Sequence, residues 1–332
     1  METIAVIGLG SMGKRRIRLL KNQLGKKVIG IDTNIERLTE VTEIFHIPCY
    51  SSIELALNNH NIFAAVVSTS PLSHATIIHT LLGKKIHVFS EINLTTEHYN
   101  ELIELAYKKQ CILFLSSTML YRQEVSYISD ITRGSQNMNY SYHIGQYLPD
   151  WHPWESYKNF FVANPKTNAC REILAIELPW LQAVFGDITD CKIVRKKTTS
   201  LELDYLDTYF IILEHTKNNH GSFIVDITCR PAVHSFTLFS ENLLLQWNGT
   251  PETLLVYDPI TCKMENPHFK GKIIKDPHYA DNILENDYLE ELKAFFDKIE
   301  HPLHQYYNFE DDLKTLTIID KMETSYEKST IN

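Results

Sequence analysis

A glycine-rich turn near the start of the chain carries the strongest chemical signal in the sequence. Gly8, Gly10 and Gly13 follow a short apolar run, residues 3–8, and open a segment of helical length. Glycine at 8 permits a tight turn, glycine at 10 lets a pyrophosphate approach the backbone, and glycine at 13 lets helix and strand lie close together. The helix start offers unpaired N–H groups to phosphates. The predicted dinucleotide contacts of this turn are Gly8, Gly10, Ser11, Met12 and Gly13.

An acidic residue lies where such a turn needs one. Asp32 follows Gly13 by 19 positions and ends a second predicted strand, 28–32. Its carboxylate would accept hydrogen bonds from the adenosine ribose and repel a 2′-phosphate, which favours NAD over NADP. Arg37 would soften that preference, unless it lies on a solvated helix face. The alternative to the whole interpretation is an ordinary strand–turn–helix with a surface aspartate.

Two polar loops follow later strands of the same predicted sheet. One spans 68–74 and the other 90–93. The carboxyl ends of parallel strands meet at one edge of a sheet, and ligands bind there. The predicted cofactor contacts in these loops are Thr69, Ser70, Pro71, His74 and Glu91. Helix capping and turn formation are the alternative roles for these residues.

The segment 143–155 is dense in histidine, tryptophan and acidic residues. Tryptophan rings beside polar groups suit stacking on a sugar, so Trp151 and Trp154 are predicted to contact substrate. His152 is a candidate for acid–base catalysis. A structural loop with two packed tryptophans and a packed histidine is the alternative.

A predicted helix over 171–185 carries charges inside an apolar stripe, where they are costly unless they are paired or lie at a site. At about 100° per residue, positions 173 and 177 share a face, whereas 172 and 177 point apart. Glu177 is therefore the preferred catalytic carboxylate, with a salt bridge to an arginine as the alternative. The further substrate-binding candidates are Arg122, Arg171 and Glu172. Arg122 would grip a carboxylate or phosphate through both arms of its guanidinium group.

The elements that must position these residues change in type along the chain. Up to about residue 120, short apolar strands alternate with helices, which predicts an α/β domain with a doubly wound parallel sheet. From about 138 the strands are longer and alternate in polarity, which predicts an α+β domain with a large open, mostly antiparallel sheet. The predicted strands there are 140–147, 192–201, 209–215, 221–229 and 235–247. The predicted division is 1–120 and 121–332, with packing of the tail helices on the first domain left open.

Composition excludes several classes of protein. The chain has 332 residues, of which 44% are hydrophobic and 22% charged, with a net charge of −9, so it is neither disordered nor a general nucleic-acid binder. No apolar run is long enough to span a membrane, and we see no signal peptide. Six scattered cysteines without a CxxC pair indicate reduced thiols in the cytoplasm, and the 15 histidines show no metal-ligand spacing. We therefore predict a cytoplasmic protein with no metal and no nucleic-acid or membrane partner.

The motifs resemble those of the Gfo/Idh/MocA oxidoreductase family along the whole chain. The resemblance rests on the glycine turn, the 69–74 loop, the strand ending at Glu91, the Phe185-Gly186-Asp187 helix end and the helix from Tyr288. It implies a Rossmann domain, a second domain with a large open sheet, and NAD(P) as cofactor. It also implies a sugar, cyclitol or sugar-nucleotide substrate and assembly through the sheet into homodimers or homotetramers.

The sequence departs from two motifs of that family. The Glu-Lys-Pro motif, whose lysine the resemblance places beside the nicotinamide, reads Glu91-Ile92-Asn93. An Asp and a His four residues apart are expected on the 171–185 helix. One alignment puts Glu172 and Ile176 there, and the other puts Ile173 and Glu177. We therefore expect a non-standard catalytic set, with Glu177 and His152 as the first candidates.

The leading hypothesis is an NAD-dependent oxidoreductase acting on a carbohydrate-type small molecule. The aromatic segment resembles family members associated with surface-polysaccharide or nonulosonic-acid synthesis. Two alternatives stay open. One is a cofactor-bound sugar sensor or regulator without redox activity, and the other is an enzyme that recycles tightly held NAD during epimerisation or elimination.

Overall fold

The computed structural model describes residues 2–153, 155–269, 274 and 283–324. The chain divides into two units. The first unit comprises Met1–Ser117 and Tyr288–Lys314, and the second comprises Thr118–Asp287 and Thr315–Asn332. Residues 288–314, whose placement the sequence-based division left open, belong to the first unit.

The first unit is built on a six-stranded parallel sheet with the strand order β3-β2-β1-β4-β5-β6. Its strands are β1 (Thr3–Ile7), β2 (Lys27–Ile31), β3 (Cys49–Tyr50), β4 (Ile62–Val67), β5 (His87–Ser90) and β6 (Leu113–Leu115). Its connecting helices are α1 (Ser11–Arg18), α2 (Ile35–Phe45), α3 (Ile53–Asn59), α4 (Pro71–Gly83) and α5 (Tyr99–Lys109). The doubly wound parallel sheet predicted from the alternation of strands and helices is confirmed.

Local sequence explains where these elements begin. All five residues of β1 are buried, as expected for a central parallel strand covered on both faces. The Asn34 side chain caps α2 by accepting hydrogen bonds from the backbone N–H groups of Glu36 and Arg37 at 2.8 and 3.2 Å. Pro71 occupies the first turn of α4, where its missing N–H costs nothing. These starts place the polar loops at the carboxyl ends of the strands.

The second unit contains an eight-stranded sheet with the order β14-β13-β12-β11-β7-β10-β9-β8. Its strands are β7 (Asn139–Gly145), β8 (Ile188–Lys196), β9 (Thr208–His215), β10 (His220–Asp226), β11 (Val233–Phe239), β12 (Leu244–Trp247), β13 (Leu255–Asp258) and β14 (Lys263–Glu265). The β7–β10 pair is parallel and every other neighbouring pair is antiparallel. The predicted open, mostly antiparallel sheet is confirmed.

Four helices accompany these strands along the chain: α6 (Gln123–Ile131), α7 (Ala169–Phe185), α8 (Glu285–Glu300) and α9 (Phe309–Thr324). Helix α8 begins in the second unit and continues in the first, whereas α9 begins in the first unit and ends in the second. Both tail helices were predicted, but α6, β13 and β14 were not. The predicted strand 235–247 is two strands, because the chain turns where the Ser240 N–H bonds the Leu243 carbonyl at 2.8 Å.

Aromatic side chains fill the space between α7 and one face of the large sheet. The rings of Tyr142 and Phe223 stack with centroids 5.0 Å apart, and Tyr140 stacks on Phe185 at 4.5 Å. Trp180 on α7 lies edge-on to Tyr142, with centroids 5.7 Å apart. The alternate residues of β9 point to the opposite face, where Phe210 is 42% exposed. The sheet thus has one face covered by α7 and one open face.

Candidate functional site

The glycine turn has a geometry that requires glycine at two of its three positions. Gly8 has a φ of +89°, and a Cβ there would lie 2.6 Å from the Ser68 carbonyl oxygen. A Cβ at Gly13 would lie 1.9 Å from the Gly8 carbonyl oxygen. At Gly10 the nearest atom to a Cβ is a guanidinium nitrogen of Arg37, 3.9 Å away. Packing thus explains Gly8 and Gly13, while the open space at Gly10 fits the approach of a pyrophosphate.

The start of α1 supplies the charge that a phosphate needs. Gly10 is the N-cap residue and has no side chain with which to occupy the first N–H groups. The first turn contains no acidic residue, Ser11 is exposed and Met12 is half-buried. The helix dipole adds a partial positive charge at this end. The turn and helix start therefore suit a dinucleotide pyrophosphate.

Asp32 is fixed against the glycine turn at the end of β2. One carboxylate oxygen accepts the Leu9 N–H at 2.7 Å, and the other accepts the Asn34 N–H at 2.9 Å. Arg37 lies 3.8 Å from the same carboxylate, and its side chain is 46% exposed. Arg37 is therefore exposed to solvent and also lies beside Asp32 and Gly10. If a dinucleotide binds here, Asp32 and Arg37 would lie near the 2′ position of its adenosine ribose, where NAD has a hydroxyl group and NADP a phosphate.

His74 joins the two polar loops at the carboxyl ends of β4 and β5. Its Nε2 lies 3.0 Å from the Thr69 carbonyl oxygen, and its Nδ1 lies 2.7 Å from the Asn93 side-chain oxygen. The residue is 2% exposed, and burial lowers the pKa of the imidazole. Ser70 occupies the N-cap position of α4 before Pro71, but its side chain makes no capping hydrogen bond there. His74 thus positions the loops, and Asn93, at the family's proline position, is one of its partners.

Glu91 belongs to a buried cluster of charges inside the first unit. The Arg16 guanidinium donates to both Glu91 carboxylate oxygens, at 2.6 and 3.1 Å, and to Glu291 at 2.6 Å. Burial works against the charge on Arg16, but the two glutamates raise its pKa overall. Burial raises the pKa of Glu291, with Arg16 opposing it. The Glu91 carboxylate is therefore paired with Arg16 next to Ile92, and its contact with the cofactor stays a prediction.

Sequence reasoning missed Arg16 and Glu291 because they are 275 residues apart. The one local signal was the place of Arg16 on the buried face of α1, next to the glycine turn. A buried arginine needs acidic partners, but the sequence does not show which of 41 acidic residues supply them.

Glu177 points into the aromatic core of the second unit. Its Oε2 accepts hydrogen bonds from the Tyr142 hydroxyl at 2.8 Å and the Trp180 indole N–H at 2.6 Å. Nε2 of His234 lies 2.9 Å from the same hydroxyl. Burial raises the pKa of Glu177 to about 7, and burial with the charge of Arg122 lowers that of His234 to about 3. Glu177 points inward, as predicted. Its carboxylate contacts the packed side chains of Tyr142 and Trp180 rather than an arginine.

Glu172, predicted only as a substrate contact, has the freer carboxyl group. Its Oε2 is buried and has no hydrogen-bond partner, although the residue as a whole is half-buried. Burial raises the pKa of this group to about 8. The carboxyl group is therefore protonated at neutral pH and can exchange a proton near pH 8. That combination is typical of acid–base residues at functional sites.

Two arginines predicted to bind substrate are occupied within the second unit. Arg122 is 2% exposed, donates to Glu124 at 2.9 Å and to the Gly249 carbonyl at 2.8 Å, and stacks on the Trp247 ring at 5.0 Å. Arg171 is 5% exposed and pairs with Asp320 and Glu323 of α9 at 2.6 and 2.5 Å. Both guanidinium groups thus have buried partners within the second unit, and their contact with substrate stays a prediction.

Two residues of the aromatic segment after β7, Trp151 and His152, have described contacts. Trp151 is half-buried and donates its indole N–H to the Gln146 carbonyl at 3.0 Å. The His152 ring lies against Phe160, with centroids 4.8 Å apart. Trp154 lies outside the described residues. The substrate contacts of Trp151 and Trp154 and the catalytic role of His152 stay predictions.

One group of potential metal ligands occurs among the described residues, although the sequence predicted none. Nε2 of His143 lies 2.6 Å from Oδ2 of Asp226, and the Cys229 sulfur lies 3.4 Å from that oxygen and 3.7 Å from the imidazole. Spacing along the sequence does not reveal this group, because β7 and β10 are neighbours in the sheet but His143 and Asp226 are 83 residues apart.

Comparisons with known proteins agree with the geometry of the first unit. Residues 3–117 match the Gfo/Idh/MocA family model, described as an oxidoreductase family with an NAD-binding Rossmann fold. The match covers the six-stranded parallel sheet of the first unit, so this Rossmann domain is of the Gfo/Idh/MocA oxidoreductase type. A comparison with curated protein sequences finds no match.

Solved structures share the fold along nearly the whole chain. An oxidoreductase from Agrobacterium radiobacter, solved with NAD+, L-tartaric acid and magnesium, is 12% identical, with a TM-score of 0.77 and coverage of 96% of this chain and 94% of that one. A UDP-N-acetylglucosamine 3-dehydrogenase from Acidithiobacillus ferrooxidans is 13% identical, with a TM-score of 0.75 and coverages of 97% and 96%. A myo-inositol dehydrogenase from Corynebacterium glutamicum is 15% identical, with a TM-score of 0.76 and coverages of 97% and 95%. At these identities the likeness is one of fold.

No helix within the described part of the chain combines the length and the apolar character needed to cross a membrane.

Proposed function

We propose that the protein is an NAD-dependent oxidoreductase whose substrate is a sugar, cyclitol or sugar nucleotide. The observation that carries the proposal is the glycine turn, where the open space at Gly10 lies beside a carboxylate, Asp32, that the turn itself holds through Leu9. The bound nicotinamide would accept or give up a hydride at a carbon that bears a hydroxyl group. The chain must supply binding, orientation and a place for the hydroxyl proton.

The cofactor preference is set by Asp32 and Arg37. The Asp32 carboxylate would accept hydrogen bonds from the ribose hydroxyls and would repel a 2′-phosphate. Arg37 lies 3.8 Å away, is exposed, and has the charge to offset part of that repulsion. We therefore propose a preference for NAD over NADP that is moderate rather than absolute.

In this proposal Glu172 takes the hydroxyl proton. Its Oε2 has no partner in the structure, whereas both hydrogen bonds to Glu177 come from the core. A carboxyl group with a pKa of about 8 can accept the proton during oxidation and return it during reduction. This role would replace that of the missing family lysine at Ile92, whose side chain carries no proton.

The substrate class is drawn from the family and from the solved structures that share the fold. Their names include a sugar-nucleotide dehydrogenase and an inositol dehydrogenase. Surface-polysaccharide or nonulosonic-acid synthesis in the cytoplasm is the setting we propose. The half-buried Trp151 ring is the candidate platform for a sugar face.

A dinucleotide titration of the purified, nucleotide-stripped protein tests the proposal. We expect NADH to bind more tightly than NADPH, followed through tryptophan quenching and NADH emission. Asp32→Asn should weaken NADH binding by about 10- to 100-fold, the value of one or two charged hydrogen bonds, and should narrow the gap to NADPH. Glu43→Gln, which removes an exposed charge from α2, the helix that follows Asp32 along the chain, is the matched control. Failure of the folded protein to bind either nucleotide would overturn the proposal.

Ile92 favours a second candidate, a cofactor-bound sugar sensor without redox activity. The family motif has a lysine where this chain has a side chain that cannot donate a proton. A panel of sugars and sugar nucleotides separates the candidates. Net formation of NADH supports the dehydrogenase, substrate conversion with retained nucleotide and no net NADH supports an epimerase or lyase, and sugar binding with neither supports the sensor.

A further inference from the structure

The open face of the second sheet carries a cluster of three side chains with metal-binding chemistry. His143 lies in β7, Asp226 ends β10, and Cys229 follows three residues later. Their ligand atoms lie within 3.7 Å of one another. We propose that His143, Asp226 and Cys229 bind a divalent zinc-type cation, with water in the fourth position. The proposal is independent of the dinucleotide site, because all three residues belong to the second unit.

The carboxylate of Asp226 is held in place for such a role. Its Oδ1 accepts the backbone N–H and hydroxyl of Thr228, at 2.7 and 2.8 Å, and the Cys229 N–H at 2.9 Å. Its Oδ2 is thereby directed toward His143 and Cys229. A Cβ at Gly145 would lie 2.5 Å from Oδ2, so glycine at that position leaves room for the carboxylate. Metal sites depend on partners that fix their ligands in this way.

The spacing of the three ligand atoms is close to that of a tetrahedral site. Zinc bonds of about 2.0–2.3 Å at tetrahedral angles separate sulfur from oxygen and sulfur from nitrogen by about 3.6 Å, and nitrogen from oxygen by about 3.4 Å. The observed separations from the Cys229 sulfur are 3.4 and 3.7 Å. The His143–Asp226 separation is 2.6 Å, as in a hydrogen bond, and this pair would open when the ion replaces the proton.

The charge and exposure of the cluster also suit a divalent ion. Metal binding requires cysteine as a thiolate and histidine as a neutral imidazole. A Cys229 thiolate and the Asp226 carboxylate, with a neutral His143 imidazole, would balance a charge of +2. The His143 side chain is 32% exposed, which gives the ion and a water molecule access.

Cobalt titration of the reduced, chelator-treated full-length protein tests the site. We expect one Co²⁺ per chain, with a near-ultraviolet sulfur-to-cobalt charge-transfer band, visible bands of tetrahedral intensity, and displacement by Zn²⁺. Loss of a residue that only orients a ligand already weakens metal binding by about 10- to 100-fold, so His143→Gln should weaken it by at least about tenfold. Cys229→Ser should remove the charge-transfer band.

Cys191→Ser and Cys262→Ser are the matched controls, because each removes one thiol of the second unit outside the cluster. Both should keep the cobalt spectrum and affinity of the wild type. The proposal is overturned if folded wild-type protein shows no charge-transfer band. It is equally overturned if the band survives Cys229→Ser or disappears in either control. A parallel NADH titration keeps this result separate from the proposed function, since neither outcome changes the dinucleotide site.

Discussion

Two glutamates on α7 show how burial gives the same side chain two different roles. Glu177 receives hydrogen bonds from Tyr142 and Trp180, whereas the Oε2 of Glu172 has no partner. Burial raises the pKa of both, to about 7 and about 8. Helical spacing predicted that the two point apart, but it did not predict which one would be left without partners. That depends on Tyr142 and Trp180, and a tyrosine 35 residues away cannot be assigned to Glu177 from spacing.

Replacement of Glu172 by glutamine should remove one ionising group from the pH dependence of the reaction rate. With the substrate found by the screen, oxidation by the wild type should rise with pH and level off above about pH 8, because the ionised carboxylate is the base. Glu172→Gln should lower kcat by about 10²- to 10⁴-fold and flatten the profile. Steady-state kcat and kcat/KM between pH 6 and about pH 10 measure this. An unchanged profile in the variant would remove Glu172 from the mechanism, and exposed Glu202→Gln is the control.

Glu177 should make the protein less stable as the pH rises. Its folded-state pKa of about 7 lies above the ordinary value of 4.5, so its stabilising neutral form is fully present below about pH 4.5 and is lost as the pH passes 7. The shift corresponds to about 3 kcal/mol of unfolding free energy at high pH. Glu177→Gln keeps an acceptor oxygen but cannot ionise. Between pH 5 and about pH 8, the free energy of unfolding of the variant should therefore rise by up to about 3 kcal/mol relative to that of the wild type.

Urea unfolding of the variant and the wild type at the two pH values measures this gain. Any effect of the amide group that does not depend on pH is the same at both values, so it cancels when the two differences are compared. Equal differences between variant and wild type at both pH values would contradict the burial argument for Glu177.

At the scale of elements, the regular parts of the fold were predictable and the long-range contacts were not. Strand β1 and the turn after it follow from a β-branched run ending in Gly8, because strand burial and turn geometry are local properties. The Arg16–Glu291 pair joins α1 to α8 and was missed because nothing near Arg16 specifies its partner. The split between β11 and β12 was missed for a related reason, since the turn at Ser240 contains no glycine or proline.

Single replacements of Gly13 and Gly10 by alanine should distinguish the contribution of the turn to stability from its contribution to NADH binding. In Gly13→Ala the new Cβ would meet the Gly8 carbonyl at 1.9 Å, so the strand and helix must move apart, at a cost of about 1–3 kcal/mol. In Gly10→Ala the nearest atom is 3.9 Å away, so stability should change by less than about 0.5 kcal/mol. The Gly10→Ala methyl group would instead block the pyrophosphate and weaken NADH binding by at least about tenfold. Urea unfolding and NADH titration of both variants test this, and normal NADH binding by Gly10→Ala would contradict the assigned turn.

At the scale of the whole molecule, the open sheet face is the candidate surface for self-association. Val194, Phe210 and Ile224 lie side by side in register across β8, β9 and β10, and His143 continues the row on β7. Val194 is 53% exposed and Phe210 is 42% exposed. A row of exposed apolar side chains on a regular sheet is typical of an interaction surface. Assembly through the sheet, which the family resemblance implies, is therefore the arrangement we propose for the homo-oligomer.

Charge placed in that row should separate the oligomer into single chains. We expect light scattering after size exclusion to give two or four times the chain mass for wild type and one chain mass for Phe210→Glu, because a buried, unpaired carboxylate is costly. Ile260→Glu, at an exposed turn between β13 and β14, is the control and should stay oligomeric. A monomeric wild type, or an oligomeric Phe210→Glu, would contradict the arrangement. NADH binding should survive in both variants, because the glycine turn belongs to the first unit. Retained cobalt binding in the monomeric variant would then show that His143, Asp226 and Cys229 of one chain are sufficient for the metal site.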